Sequence, residues 1–177
     1  MSHAENKVNW CLRKAESELK EGKKHRGLLK KDIILEEAKK HIEKAEHNLS
    51  AISYFDEGNF SDWSMSAVFY CIYHCFLAII EKFGYESRNQ ECTLALIKYL
   101  KEQGKITLDE KFIQALEVYN EQERQESNVI EKREKYTYGT TTSTENKEEI
   151  KKAIELCKEC LDKTKEIVFG KEDCISN

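Results

Sequence analysis

Apolar residues recur every three or four positions along most of the chain, which is the spacing of one face of an α-helix. This pattern predicts helices over residues 5–21, 31–57, 61–83, 89–103, from 107 onward and 146–168. Little interrupts them, since the chain has no proline and only seven glycines. We therefore predict an all-α protein, an up-and-down antiparallel bundle of about five to six helices.

The third predicted helix is the most apolar part of the chain. Residues 67–80 read AVFYCIYHCFLAII and are apolar on nearly every side, which is typical of a helix buried all round. Its side chains with hydrogen-bonding groups include Tyr70, Tyr73 and His74. A buried donor or acceptor without a partner costs roughly 1–3 kcal/mol. These three side chains are therefore either satisfied within the core or line a cleft.

Composition narrows the class of protein. The chain has 177 residues, of which 35% are charged, and a net charge of −4, which argues against a generally basic nucleic-acid coat protein. Residues 13–31 are locally basic and form either a solvated face or a patch that docks a phosphate or a partner. Because no apolar run approaches roughly 18 residues and the N-terminus lacks a signal-peptide core, we expect a cytoplasmic protein that makes no contact with a membrane.

Cysteine and histidine offer few candidates for metal or nucleophile chemistry. An odd count of seven cysteines without a secretory signal argues against disulfides, so we interpret them as free and mostly buried. Cys157 and Cys160 have metal-ligand spacing, but only Cys71, His74 and Cys75 could complete a zinc site, and those residues lie on the buried helix. We therefore expect no metal and no cofactor. Of the remaining histidines, His3, His25, His41 and His47 are expected at the surface.

A second candidate region follows a very polar stretch. Arg133 stands at a predicted helix end and precedes Tyr136, Tyr138 and a glycine turn. An arginine can hold a phosphate while neighbouring tyrosines stack on a base. The alternative is that Arg133 pairs with nearby glutamates and the two tyrosines cap the core.

The order of these segments resembles the HEPN-domain family. Ala45–Leu49 resembles the early helix of the family, Phe60–Trp63 leads into a tyrosine-rich central helix, and Gly84–Ser87 follows as in many members. The arginine–tyrosine segment and a closing amphipathic helix complete the order. The resemblance covers residues 31–168. It leaves residues 1–30 as an extra N-terminal helix and basic loop packed on the bundle, and residues 169–177 as a flexible tail.

The resemblance implies a helical bundle that usually dimerises. Many members are metal-independent RNA endonucleases, toxins or partners of a minimal nucleotidyltransferase, and others are non-catalytic binding modules. The nuclease signature is an arginine followed, after four to six residues, by a histidine. Here Arg133 matches the arginine, but Tyr138 stands in the histidine region and no histidine follows. Tyrosine, whose unperturbed pKa is about 10, is a poor base at neutral pH.

We therefore expect a non-catalytic or weakly catalytic HEPN-type homodimer that binds RNA, a nucleotide or a nucleotidyltransferase partner, in a toxin–antitoxin or defence system. No residue is assigned as catalytic, and the expected binding residues are Arg133, Tyr136, Tyr138, Tyr70, Tyr73 and His74. One alternative is an active metal-independent ribonuclease that uses Arg133 with Tyr138 or His74. The other is a helical bundle that serves only as a protein-interaction module.

Overall fold

Six helices and two short strands make up the part of the chain that the structure, a computed structural model, describes, namely residues 2–124 and 147–170. The helices are α1 (His3–Lys20), α2 (Leu35–Glu57), α3 (Ser61–Lys82), α4 (Gln90–Glu102), α5 (Glu110–Arg124) and α6 (Lys147–Phe169). They lie where the hydrophobic periodicity predicts them, and the all-α bundle is confirmed. No described helix combines the length and the hydrophobicity needed to cross a bilayer.

The two strands were not predicted. β1 (Leu28–Lys30) pairs antiparallel with β2 (Tyr85–Ser87), so that Leu28 faces Ser87 in the register. Three-residue strands are too short to leave a period-two pattern in the sequence. The turn before β2 needs Gly84, which has a positive φ of 74°, and a Cβ there would lie 2.8 Å from the Lys31 carbonyl oxygen.

The core is centred on α3. Ile72, Phe76, Ile79 and Ile80 of this helix are fully buried. α3 packs mainly against α2 and α6, and also against α4, α5 and β2. This position explains why α3 is apolar on nearly every side, and it makes the few polar side chains of α3 the natural places to look for chemistry.

A disulfide between Cys11 and Cys92 joins α1 to α4. The interpretation that these two cysteines are free was therefore wrong. Their pairing depends on the docking of two helices whose cysteines are 81 residues apart, and spacing along the chain carries no information about such docking. An ion pair of 2.8 Å between Lys7 and Glu91 supports the same helix contact.

Candidate functional site

The central feature of the site is a pair of histidines between α2 and α3. The two helices form a hairpin, and near its turn the Ser64 hydroxyl donates to the Ile52 carbonyl over 3.1 Å. Farther along the hairpin, His41 Nδ1 lies 3.0 Å from His74 Nδ1, with ring centres 5.2 Å apart. His41 was expected at the surface; that expectation was wrong, because His41 is half-buried against α3.

Burial holds both histidines in the neutral form. It is the largest of the effects that lower the pKa of His74 to about 4, and the nearby charges of His41 and Lys44 act in the same direction. The pKa of His41 is also lowered, mainly by burial, and the opposing attraction of Glu37 is not enough to restore it. A hydrogen bond between two Nδ1 atoms needs one of them unprotonated, which agrees with this neutral state.

The chemistry available to the pair follows from its protonation. At neutral pH an imidazole whose pKa is about 4 carries no proton that it could deliver as a general acid, and it is a weak base. It can still donate or accept a hydrogen bond through a ring nitrogen outside the pair. The pair is therefore suited to orienting or binding a polar group and poorly suited to moving protons.

Tyr70 lies one helical turn before His74, so the two side chains project from the same side of α3. The Tyr70 side chain is 50% exposed although its helix forms the centre of the core, and its ring meets Phe69 edge-on with centres 5.2 Å apart. A half-exposed ring held against a buried one offers a rigid aromatic surface to solvent. Tyr70 and the histidine pair together define the α2–α3 face, the candidate functional site.

Tyr73 belongs to the core. Its ring stacks on Phe69 with centres 5.9 Å apart, and its hydroxyl lies 3.5 Å from the Thr93 hydroxyl on α4. Burial raises the pKa of Tyr73, so the phenol stays protonated and serves as a core hydrogen-bonding group. Of the two possibilities that the sequence left open, the satisfied core describes Tyr73, and the exposed face describes Tyr70.

The other three expected binding residues, Arg133, Tyr136 and Tyr138, lie outside the described residues. Their position relative to the α2–α3 face therefore stays a prediction.

A second polar cluster, which the sequence did not indicate, surrounds the small sheet. Glu81 is only 4% exposed and its carboxylate lies 2.8 Å from the Lys31 ammonium, as an ion pair rather than an aligned hydrogen bond. His25 was expected at the surface; that was wrong, since it is 4% exposed with Nε2 3.2 Å from Glu86 on β2. Glu86 lies in the 84–87 segment and Glu81 in the helix before it. The cluster therefore fastens the basic loop to the bundle.

The remaining described cysteines pack between α3 and α6 as four buried free thiols, Cys71, Cys75, Cys157 and Cys160. Hydrogen bonds with Cys160 and Cys71, together with burial, raise the pKa of Cys75, so its thiol remains protonated. Within the described residues, no three cysteine, histidine or acidic side chains are placed to hold a metal ion. All four are fully buried, which makes them small side chains of the core.

These observations define an all-helical bundle built around a tyrosine-rich buried helix, with a histidine pair and an exposed tyrosine on one face. The family model described as HEPN domain matches residues 38–167, and the chain belongs to this family. The resemblance found in the sequence is thereby confirmed. No curated protein and no solved structure matches the chain. The matched range begins after α1 and β1, so both elements lie outside the family's common part.

Proposed function

We propose that this chain is a HEPN-type module that binds RNA or a nucleotide and cleaves RNA weakly or not at all. The observation that carries the proposal is the neutral His41–His74 pair. Family membership supports a role connected with nucleotides or RNA. The state of the histidines favours binding over cleavage.

The chemical argument concerns protons. Metal-independent RNA cleavage removes a proton from the 2′-hydroxyl and delivers one to the leaving oxygen, and a histidine that titrates near neutral pH can do either. His74 was the candidate to replace the histidine that is missing after Arg133. Because its pKa is about 4 and its Nδ1 is engaged by His41, it is a poor general acid at pH 7. This disfavours the alternative of an efficient ribonuclease.

The binding argument concerns Tyr70 and Arg133. A half-exposed aromatic ring can stack on a base, which is worth about 1–3 kcal/mol per base in single-strand binding. Arg133, expected on the same surface, would hold a phosphate through paired N–H donors. Tyr136 and Tyr138 would add further stacking or hydrogen bonding.

The test is a binding titration with a fluorescein-labelled single-stranded RNA and, separately, with labelled ATP, followed by anisotropy. Tyr70→Ala should weaken binding about 30-fold, the middle of the range for one stacked base, and Arg133→Ala should weaken it to a similar extent. Tyr54→Ala is the matched control. Tyr54 lies on α2 and is 74% exposed, so this substitution removes a solvated tyrosine from another position. Unchanged affinity in both test variants rejects the assigned site.

Cleavage is tested separately with total RNA in EDTA at high protein excess. The proposal predicts intact RNA. Cleavage that disappears in Arg133→Ala and in His74→Asn would instead establish the ribonuclease alternative.

The exposed aromatic side chains near the α2–α3 turn support a partner surface as well. Phe60 is 57% exposed and Trp63 is 53% exposed, which is unusual for large rings so close together in sequence. We expect a second copy of the chain, or a nucleotidyltransferase of a toxin–antitoxin system, to cover them. Light scattering after size exclusion checks the dimer, and Phe60→Ser with Trp63→Ser should yield a monomer. Co-purification from the native host checks for the nucleotidyltransferase.

A further inference from the structure

The appended helix α1 carries an exposed tryptophan with lysines placed over it. Trp10 is 45% exposed, and the ammonium groups of Lys7 and Lys14 lie 4.5 Å and 5.2 Å from the centre of its ring. The opposite side of the helix, with Ala4, Val8, Cys11 and Ala15, is buried. The side that carries Trp10 therefore faces solvent on a helix that is fixed to α4 by a disulfide.

Charge is distributed very unevenly between this segment and the rest of the chain. Residues 1–31 contain nine lysines and arginines against four glutamates and no aspartate, a net charge of +5. Since the whole chain has a net charge of −4, residues 32–177 carry −9. A cationic segment on an acidic protein is the electrostatic pattern of a local site for a polyanion, and it is not the pattern of a general basic coat.

The α1 surface borders an open hollow of about 420 Å³, lined by Asn6, Asn9, Leu12 and Arg13. Among the described residues, no carboxylate lies within ion-pair distance of the Arg13 guanidinium, and Lys14 contacts only the Trp10 ring. Lys7 differs, because Glu91 holds it at 2.8 Å. Arg13 and Lys14 are thus cations that an incoming phosphate could bind without breaking an existing ion pair.

We propose that the surface formed by Asn6, Trp10, Arg13 and Lys14, the α1 surface, binds single-stranded RNA. One base stacks on Trp10, and the flanking phosphates bind Arg13 and Lys14. The combination of an aromatic platform with cations that follow the backbone is the recognition mode of single-strand binding proteins. Lys14 leaves the ring when the base enters and its ammonium moves to a phosphate. This inference rests on the proposed function for the choice of RNA, and it adds a site outside the family's matched residues.

Two other occupants fit the surface less well. A bilayer needs a continuous apolar face, but Trp10 and Leu19 are the large apolar side chains that α1 exposes. An acidic protein would match the charge but would not need an exposed indole ring. Single-stranded RNA uses both the ring and the charge.

Tryptophan fluorescence gives a direct test, because the chain has only two tryptophans. Trp63→Phe leaves Trp10 as the sole reporter in the full-length protein. Titration with a twelve-residue oligoadenylate should quench its emission to saturation, since a stacked base quenches indole. Absence of quenching while the same RNA binds by anisotropy would overturn the proposal and leave the proposed function standing.

The RNA affinity of substituted proteins tests the same surface without relying on tryptophan fluorescence. Trp10→Ala should weaken RNA binding roughly 5- to 150-fold, as loss of one stacked base does. Arg13→Ala with Lys14→Ala should lower the slope of log affinity against log salt by about 1.4, since each single-strand phosphate contributes about 0.7. The matched controls are Tyr54→Ala for an exposed ring and Lys151→Ala with Lys158→Ala for exposed charge, and both should bind as the wild type does.

Two further outcomes separate this site from its rivals. Quenching of Trp10 that persists in Arg133→Ala shows that α1 binds RNA independently of the α2–α3 face. Polyglutamate that displaces the RNA as effectively as unlabelled oligoadenylate, at equal charge concentration, would overturn the assignment to RNA in favour of an acidic protein. No binding of any RNA by the wild type would overturn this proposal, and no binding of either RNA or ATP would overturn the proposed function as well.

Discussion

Reduction of the Cys11–Cys92 disulfide should cost the protein a large part of its stability. The bond closes a loop across 81 residues. In the chain-entropy treatment, a closed loop is worth about 3 kcal/mol at 15 residues and about 4.7 kcal/mol at 100 residues, so this one is worth about 4.5 kcal/mol. Folded domains are stable by about 5–15 kcal/mol in total, so the reduced protein should remain folded in buffer but close to the margin.

Urea unfolding measures the effect. With a slope of about 2 kcal/mol per molar urea, a loss of about 4.5 kcal/mol lowers the midpoint by about 2.2 M. The double variant Cys11→Ser with Cys92→Ser should unfold at the same midpoint with and without reductant. That midpoint should lie at or below that of the reduced wild type, because both lack the cross-link and the variant also buries two hydroxyls.

Peptide mapping of the unreduced, alkylated protein provides the control on the bond itself. A cross-linked pair of peptides containing Cys11 and Cys92 should appear, and it should vanish after reduction. An identical urea midpoint for oxidised and reduced wild type, with the cross-link verified, would refute the reasoning that closing this loop stabilises the folded protein.

Three further predictions concern the interior. Acidification should destabilise the protein through His74. The pKa of His74 is lower in the folded protein than its unfolded value of about 6.5. The stability that His74 contributes is therefore fully present above pH 6.5 and is lost as the pH falls from 6.5 to 4. The loss should amount to roughly 1–3 kcal/mol, and it should shrink in His74→Asn but not in the exposed control His47→Asn when urea midpoints are compared across pH. Lys31→Met should destabilise by about 3 kcal/mol because it leaves the buried Glu81 carboxylate unpaired, and adding Glu81→Gln should recover part of the loss; no recovery in urea titrations would contradict an electrostatic origin. Phe76→Ala should cost about 3–5 kcal/mol because the ring is fully buried, whereas thermal unfolding of Tyr54→Ala should stay within about 0.5 kcal/mol of the wild type.

The long helices could be predicted because their periodicity repeats over several turns. The apolar stripe of α2, with Ala38, Ile42, Ala45 and Ile52, is buried as its spacing requires. The three-residue strands have no comparable signal, and neither has the pairing of Cys11 with Cys92. Both depend on which elements dock, which is decided by the whole core and not by any local pattern.

The histidine pair shows where sequence reasoning about sites stops. His41 directly precedes the buried Ile42, so a position at the edge of the apolar stripe could have been inferred. Its pairing with His74 could not have been inferred. His74 is 33 residues further along the chain, and the contact depends on the register between α2 and α3. A histidine at the border of a stripe, opposite a helix that itself contains a histidine, is the only signal available.

The division of α3 between core and surface changes what its tyrosines can do. Neighbouring positions on a helix point about 100° apart, so Tyr73 turns toward α4 and His74 toward α2, although their rings still meet edge-on with centres 6.3 Å apart. Tyr73 already has Thr93 as a partner, and its phenol is committed to the core. Tyr70 and His74, one turn apart, are two polar side chains of this helix that remain available to a ligand. A ligand on the α2–α3 face must therefore contact a neutral imidazole beside an exposed phenol, an arrangement that can hold a base or a phosphate but offers it no ready proton.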